Sequence, residues 1–278
     1  MRVLTWNVWW RFGPWQERRK ALLSVLREEA PDVVGLQEVW DHDGENLAGW
    51  LADELGLHWA FAAHDRPHYW QRRIGGEPVA IGNAVLSRYP ILSTESRLLP
   101  APADRDQGRR ALFARLDGPV APVPFFTVHL NSAVHESGTR VEQVAELARF
   151  VAEHRADGDH PAVVSGDFNA RPDSDEVRLF GGSRTAPVVP RQSFVDAWDF
   201  AEEGAAWATW GDGNPYLASV PPPNARIDYI HVSLPARGGL GHVRAVRRTG
   251  HGYVDGVWPS DHAAVVADLA EGPAEGLR

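Results

Sequence analysis

The sequence predicts an α/β fold in which mixed β-sheets are covered by helices. Strand-like and helix-like segments alternate in the first part of the chain, and hairpin-like runs of strands follow. This order is typical of sheets that bury their faces under helices. No internal repeat, low-complexity block or linker divides the 278 residues, so we expect a single domain at 1–270 and a short tail at 271–278.

The first four elements are predicted by hydrophobic spacing. Apolar residues at helical spacing in segment 16–30 precede Pro31, which ends the helix. Gly56 follows a second amphipathic segment and fits the C-terminal cap of a helix. The predicted order is a strand at 3–8, a helix at 16–30, a strand at 32–39 and a helix at 45–56.

Strands dominate the rest of the chain. The polar segment 64–78 contains Gly and Pro and indicates a loop, as do segments 181–192 and 211–224. One further amphipathic helix is predicted at 141–151. The remaining predicted strands are 84–88, 111–117, 123–130, 162–164, 225–233, 243–248 and 262–269.

The composition excludes several classes of function. The chain has no cysteine, which excludes disulfides, thiolate metal sites and cysteine nucleophiles. A net charge of -9 argues against tight, non-specific binding of nucleic acid, which depends on phosphate neutralisation by Lys and Arg. It leaves a nuclease possible, because a bound cation reverses the local charge at a site.

The sequence contains no predicted membrane span or signal peptide. No segment approaches the roughly 18 apolar residues of a transmembrane helix, and the N-terminal segment lacks a long apolar core followed by a small-residue cleavage site. We expect a cytoplasmic protein, although the absence of cysteine is equally compatible with export. Nothing indicates a protein partner, and we expect a monomer.

Polar side chains recur at the ends of predicted strands. Asn, Asp and Glu are hard oxygen ligands, which suit Mg²⁺, Mn²⁺ or Ca²⁺. Histidines with carboxylate neighbours suit proton transfer near neutral pH. Because the ends of sheet strands are where α/β folds build sites, we expect these groups to meet. They are Asn7, Glu38, His129, Asn131, Asp167, Asn169, Asp228, Asp261 and His262.

Each of these residues also has a purely structural explanation. Asn7 fits a structural amide, and Glu38 a solvated charge at a strand end. His129 fits a hydrogen-bonded core histidine, Asp228 could pair with Arg226, and Asp261 could occupy a turn or cap. Their joint occurrence favours a site, because six separate strand ends seldom all present oxygen or imidazole groups by chance.

Six motifs in order carry a resemblance to a known family. "TWN", "LQE", "TVHL", "GDFN", "RIDYI" and "SDH" together resemble the endonuclease/exonuclease/phosphatase superfamily, which has the DNase I-like fold. The resemblance spans residues 3–269. It implies a four-layer α/β/β/α sandwich of two mixed β-sheets flanked by helices.

The resemblance also implies a metal-dependent catalytic site. Glu38 resembles the principal ligand of a divalent metal, usually Mg²⁺, with Asn7 beside it and Asp261 as a further carboxylate of the metal site. His262 resembles the catalytic histidine, and Asp228 the carboxylate that orients it.

Other positions are implied to handle the substrate. Asp167 and Asn169 resemble the pair that positions or activates the attacking water, and His129 resembles a donor to the phosphate. Arg110 resembles a phosphate-contacting arginine, although a surface arginine fits equally. In some members a Glu partners the first histidine, and Glu77 lies in that region, although its loop fits a solvent-exposed segment equally.

One pair of residues near these motifs is expected to be structural. Arg140 and Gln143 follow the "HLN" segment, and we interpret them as an exposed helix turn.

The implied function is an Mg²⁺-dependent phosphoester hydrolase, most simply a phosphodiesterase or nuclease. The alternative is a phosphomonoesterase that acts on a small-molecule or lipid phosphate, like an inositol phosphatase or a sphingomyelinase. A non-catalytic binding module predicts the loss of at least one site group, and none is missing. The sequence leaves open whether Asp167 or His262 is the base.

Overall fold

The computed structural model describes residues 1–211, 213–218, 224–235 and 238–272. Its helices are α1 (Trp15–Glu29), α2 (Leu47–Leu55), α3 (His68–Gln71), α4 (Ser137–Glu153) and α5 (Asp175–Gly181). Its strands are β1 (Arg2–Asn7), β2 (Val33–His42), β3 (Glu45–Asn46), β4 (His58–Ala63), β5 (Ala80–Ser87), β6 (Ile91–Leu98), β7 (Arg110–Leu116), β8 (Val123–His129), β9 (Val163–Asp167), β10 (Phe194–Asp196), β11 (Asp228–Ser233), β12 (Val243–Thr249) and β13 (Ala264–Leu269).

The strands form two mixed sheets. The first has the order β12-β13-β1-β2-β5-β4, with β3 paired to β2, and the second has the order β10-β11-β9-β8-β7-β6. In each sheet one central pair is parallel, β1 with β2 and β8 with β9, whereas the neighbours of these pairs are antiparallel. Parallel neighbours bring the carboxyl ends of their strands to the same edge.

The two sheets pack face to face with helices outside, which confirms the predicted four layers. One apolar cluster joins residues of both inner sheet faces, such as Val33 and Val163. A second covers the outer face of the first sheet with α1 and α2, and a third covers the second sheet with α4 and α5. Gly35 of β2 lies where the sheets approach most closely, since an added Cβ would collide with Ser165.

The helix ends follow the capping rules. The Asn46 side chain accepts hydrogen bonds from the backbone of Ala48 and Gly49 at the start of α2. Gly56 ends α2 in the left-handed conformation with φ of 67°, as predicted.

The predicted elements exist, and the structure adds others. The predicted loop at 64–78 contains the short helix α3, and strands β4 and β6 were not predicted. Both lie at sheet edges and are largely exposed, so they lack the buried alternation that marks a strand in sequence. Residues 273–278 of the predicted tail lie outside the described residues. No helix among the described residues is both long and apolar enough to cross a membrane.

Candidate active site

Two parallel strand pairs bring the predicted site residues to one edge of the sandwich. Asn7 ends β1 beside Gln37 of β2 in the first sheet, and His129 ends β8 beside Asp167 of β9 in the second. Strand β11 runs antiparallel to β9, so its first residue, Asp228, pairs with Asp167 at the same edge. Strand β13 runs antiparallel to β1, so the segment that leads into β13 lies at this edge as well.

These strand ends border a cleft of about 790 Å³. Asp228 is not part of the cleft lining; it lies behind His262, and its carboxylate contacts the ring of that histidine. Seven of the nine predicted site residues line the cleft, namely Asn7, Glu38, His129, Asp167, Asn169, Asp261 and His262.

His262 is paired with a fully buried aspartate. Its Nδ1 lies 2.9 Å from Asp228 Oδ2, and its Nε2 lies 3.8 Å from Asp167 Oδ2. Burial alone would lower the pKa of His262, but the carboxylates of Asp228 and Asp261 outweigh burial and raise that pKa well above its usual value. The structure therefore favours a cationic His262 whose ring is oriented by Asp228.

Asp167 is held by donors on both carboxylate oxygens. The Asn7 side chain donates to Oδ2 at 3.1 Å, and the Asn169 backbone donates to Oδ1 at 2.8 Å. Burial, reinforced by Asp228, raises the pKa of Asp167 to about 7. The Asn169 side chain itself donates to Leu130 O at 3.1 Å, and its backbone has φ of 49°.

Glu38 lies at a break in the regular pairing of β2. The register between β2 and β5 shifts between Leu36 and Val39, and Glu38 adopts φ of 56°, which is uncommon for a residue with a Cβ. Its Oε2 is buried without a hydrogen-bond partner among the described residues. Backbone strain of this kind is concentrated at functional sites.

The donor set of the cleft fits a hard cation. Buried polar oxygens normally have partners, so the unpaired Oε2 of Glu38 indicates a ligand. Burial raises the pKa of Asp261 to about 7, with Glu38 a neighbouring like charge that raises it further. A divalent cation would relieve both effects.

A second group of possible ligand atoms includes the buried Asp228. One atom each from Asp167, Asp228 and His262 lie within 4.8 Å of one another. A cation among them would compete with the hydrogen bond between Asp228 and His262, so Glu38 and Asp261 are the better donors for a first metal.

His129 is backed by an arginine that the sequence motifs did not single out. Arg109 is fully buried, and its Nη1 lies 2.8 Å from His129 Nδ1. The Nε2 of His129 lies 3.3 Å from Asp167 Oδ2. Glu77, the glutamate that the resemblance offered as a partner, is mostly exposed and lies 4.0 Å from Arg11. The only sequence signal for Arg109 was its position next to Arg110.

The structure does not bring Arg110 to the cleft. Its Nη1 lies 3.3 Å from Asp65 Oδ1, and its Nε donates to Ser96 at 3.2 Å. Successive strand residues point to opposite sides, so the neighbouring Arg109 takes the inward position. The role in phosphate contact implied for Arg110 is therefore not supported by its placement.

Two residues expected at an exposed helix turn are buried instead. Arg140 donates to Glu176 at 2.9 Å, and Gln143 exchanges hydrogen bonds with the backbone and side chain of Asn131. These contacts fix the loop after β8. The expectation of exposure was wrong because the helix spacing did not reveal that α5 covers this turn.

A second buried arginine, unforeseen in the sequence, braces the loop after β1. The Arg18 guanidinium donates to the backbone carbonyls of Val8, Trp9, Trp10 and Phe12, and to that of Pro259. Burial lowers its pKa to about 10, so it stays charged at neutral pH. It ties the loop after Asn7 to the segment that leads into Asp261 and His262.

Curated relatives match this chain over part of their length. A Caenorhabditis elegans protein named "Putative neutral sphingomyelinase" is 26% identical over 226 residues, which are 73% of this chain and 47% of that protein. YbhP of Escherichia coli strain K12 is 30% identical over 184 residues, which are 60% of this chain and 66% of YbhP. The matches thus span about half to two thirds of these relatives.

Solved structures share the fold. TDP2 of D. rerio, complexed with a single-strand DNA product, superposes with a TM-score of 0.74 at 19% identity, over 96% of this chain and 97% of TDP2. A mannosyl-6-phosphatase of Bacteroides thetaiotaomicron gives a TM-score of 0.70 at 18% identity, over 97% of this chain and 99% of that one.

The family match covers nearly the whole sandwich. The model of the Endonuclease/Exonuclease/phosphatase family matches residues 4–262, from β1 to the cleft histidine. Together with the architecture, this match confirms the resemblance carried by the six motifs. The chain belongs to the Endonuclease/Exonuclease/phosphatase family.

Proposed function

We propose that this protein is an Mg²⁺-dependent phosphoester hydrolase that acts as a phosphodiesterase. The observation that carries the proposal is the meeting, in one cleft, of Glu38, Asp167 and the hydrogen-bonded pair of Asp228 and His262. A hydrolase of phosphoesters needs a group that takes a proton from water and groups that stabilise charge on the phosphoryl oxygens.

Asp167 is the better candidate for the base. A group that is already protonated cannot accept a proton, and the raised pKa of His262 favours its cationic form. Asp167, with a pKa raised to about 7, can take a proton from water near neutral pH. His262 then donates through Nε2 to the charge that develops on the phosphoryl group.

Glu38, Asp261 and the side-chain oxygen of Asn7 would hold the divalent cation. The Asn7 oxygen accepts one hydrogen bond, from Trp9 N at 3.0 Å, so one lone pair is left for a metal. When bound, the cation would neutralise negative charge on the phosphoryl oxygens. His129 Nε2 lies 3.3 Å from Asp167 Oδ2 and would help to hold that carboxylate in place.

The cleft walls favour a phosphodiester with an aromatic component. Trp9 and Trp210 are partly exposed and line the cleft, as do Arg73 and Arg171. Aromatic faces can stack bases, and arginines can contact flanking phosphates. The single-strand DNA product in the TDP2 structure supports the nuclease form of this proposal.

A phosphomonoesterase is the alternative. It is favoured by the shared fold of the mannosyl-6-phosphatase, and the relative named as a neutral sphingomyelinase favours a lipid phosphodiester. Both substrates would use the same catalytic groups, and the residues around the mouth of the cleft would determine which of the two is bound.

Parallel assays on metal-stripped protein test the proposal. We expect hydrolysis of bis(4-nitrophenyl) phosphate and of a single-stranded oligonucleotide only after Mg²⁺ is added, with less activity on 4-nitrophenyl phosphate. Preference for the monoester, a sugar phosphate or inositol phosphates would favour the phosphomonoesterase. Hydrolysis of sphingomyelin would instead support a phosphodiesterase whose substrate is a lipid. Activity that persists in excess chelator would exclude the metal mechanism.

A matched variant tests the cation site. Glu38→Gln keeps the side-chain shape but removes the charge of a hard oxygen ligand, so the half-saturating Mg²⁺ concentration should rise about tenfold or more. Glu77→Gln, on an exposed side chain outside the cleft, is the control and should leave Mg²⁺ dependence unchanged. An unchanged Mg²⁺ requirement in Glu38→Gln would remove Glu38 from the cation site.

A further inference from the structure

The hydrogen bonds of His129 determine which ring nitrogen carries the proton. A guanidinium has only donors, so the Arg109 Nη1 group that lies 2.8 Å from His129 Nδ1 must donate to it. Nδ1 is therefore the acceptor, and in the neutral ring Nε2 carries the hydrogen. That Nε2 lies 3.3 Å from Asp167 Oδ2, a carboxylate oxygen that can accept from an N–H but offers none.

Arg109 is held so that it cannot turn away. Its side chain is fully buried, its Nε donates to Gln107 Oε1 at 3.0 Å, and its guanidinium stacks on the ring of Trp70 at 4.6 Å. The opposite tautomer of His129 would set an N–H against a guanidinium N–H and a lone pair against the Asp167 carboxylate. Both contacts would become repulsive between side chains that are almost fully buried.

We propose that Arg109 is a positioning residue that locks His129 as the neutral Nε2–H tautomer, so that His129 serves the reaction as a hydrogen-bond donor and never as a base. A carboxylate behind the ring, of the kind that Glu77 was expected to supply, would favour the opposite arrangement with a proton on Nδ1. The role toward substrate rests on the proposed function, but the tautomer itself does not.

One rival arrangement involves the other charged group near Nδ1. Glu38 Oε1 lies 3.9 Å from His129 Nδ1 and could accept a proton from it if Arg109 were displaced. In that case Arg109 would serve only to pack against Trp70. The two arrangements differ in the protonation of a single nitrogen, which can be observed directly.

The tautomer can be read in the unmodified protein. Nitrogen-15 spectra of histidine side chains distinguish a protonated from an unprotonated ring nitrogen, and His129→Gln identifies its signals by their loss. We expect an unprotonated Nδ1 and a protonated Nε2 in the metal-free protein. A protonated Nδ1 would overturn the proposal without any activity measurement, so this outcome is independent of the proposed function.

Variants then test the consequence for catalysis. Arg109→Met removes the donors but keeps much of the length, and we expect mixed tautomers of His129 and about tenfold lower kcat with little change in KM. Arg109→Lys keeps a donor and should recover most of the tautomer signal and of kcat. The neighbouring Arg110→Met, outside the cleft, should change neither.

The outcomes separate positioning from packing. If Arg109→Met keeps the Nε2–H tautomer and a normal kcat, the positioning role is wrong. If Arg109→Met does not fold, the Arg109→Lys variant and the spectrum of the unmodified protein still decide. If the unmodified protein lacks phosphoesterase activity while the tautomer is as expected, the proposed function fails and the tautomer lock stands.

Discussion

The cleft contains two histidines that face the same carboxylate but have opposite partners behind them. The Nε2 atoms of His129 and His262 lie 3.3 Å and 3.8 Å from Asp167 Oδ2. Behind His129 stands Arg109, and behind His262 stands Asp228.

This difference in partner shifts the pKa values of the two rings in opposite directions. Burial and the Arg109 charge lower the pKa of His129 well below its usual value, whereas carboxylates raise that of His262 well above it. The residue that lies behind each histidine therefore determines the role that the histidine can have in this cleft.

The largest expected effect comes from removing the histidine backed by the carboxylate. His262→Ala should lower kcat about a thousandfold, because both the oriented donor and its positive charge are lost. Steady-state kinetics on bis(4-nitrophenyl) phosphate measures this loss, with His135→Ala, on an exposed loop, as the control. A near-normal rate would remove His262 from the mechanism.

A smaller loss is expected when only the partner of His262 is changed. Asp228→Asn keeps a polar group of the same shape but removes the charge that favours the cationic ring, so kcat should fall about a hundredfold. Steady-state kinetics on bis(4-nitrophenyl) phosphate measures this loss as well, again with His135→Ala as the control. A rate loss equal to that of His262→Ala would mean that Asp228 alone provides both the orientation and the charge of the His262 ring. No loss of rate would contradict the distinction between the two histidines.

The smallest effect concerns stability and uses a buried histidine without a charged hydrogen-bond partner. His231 is enclosed by Phe168, Phe180 and Tyr229, and burial lowers its pKa to about 4 from 6.5. Because the folded-state pKa is lowered, the unfolded state binds the proton first, and stability is lost as pH falls from about 6.5 toward about 4.

Replacing that ring isolates its contribution. Between neutral pH and about pH 5, His231 should cost about 2 kcal/mol of unfolding free energy, and His231→Phe should remove this part of the acid sensitivity. Urea denaturation at several pH values measures it, and His135→Phe, exposed in the folded state, should retain the full sensitivity. An unchanged pH slope in His231→Phe would contradict the depressed pKa.

The sequence was sufficient to predict the strand ends that carry the site. Apolar runs followed by polar groups are local signals, so Asn7, Glu38, His129 and Asp167 could be found without coordinates. The family resemblance supplied the four-layer arrangement and the pairing of Asp228 with distant groups, which hydrophobic periodicity alone does not determine.

The sequence did not distinguish Arg109 from Arg110. The two differ by one residue at the start of β7, and a shift of one residue exchanges the inner and outer sides of a strand. Only the pairing of β7 with its neighbours fixes which arginine is buried. Glu77 was considered as the partner of His129 only through the family resemblance, and the structure leaves its side chain exposed.

The buried amide of Gln37 connects the two sheets of the sandwich. Its Nε2 lies 3.1 Å from Thr5 Oγ1 in the first sheet and 2.9 Å from Thr127 Oγ1 in the second. His262 comes from the first sheet and Asp228 from the second, so the pair forms only while the two halves of the sandwich stay in register. Gln37 therefore links the two sheets beside the candidate site. Under the proposed function, a shift of one sheet against the other would separate His262 from Asp228 and stop hydrolysis without unfolding either sheet.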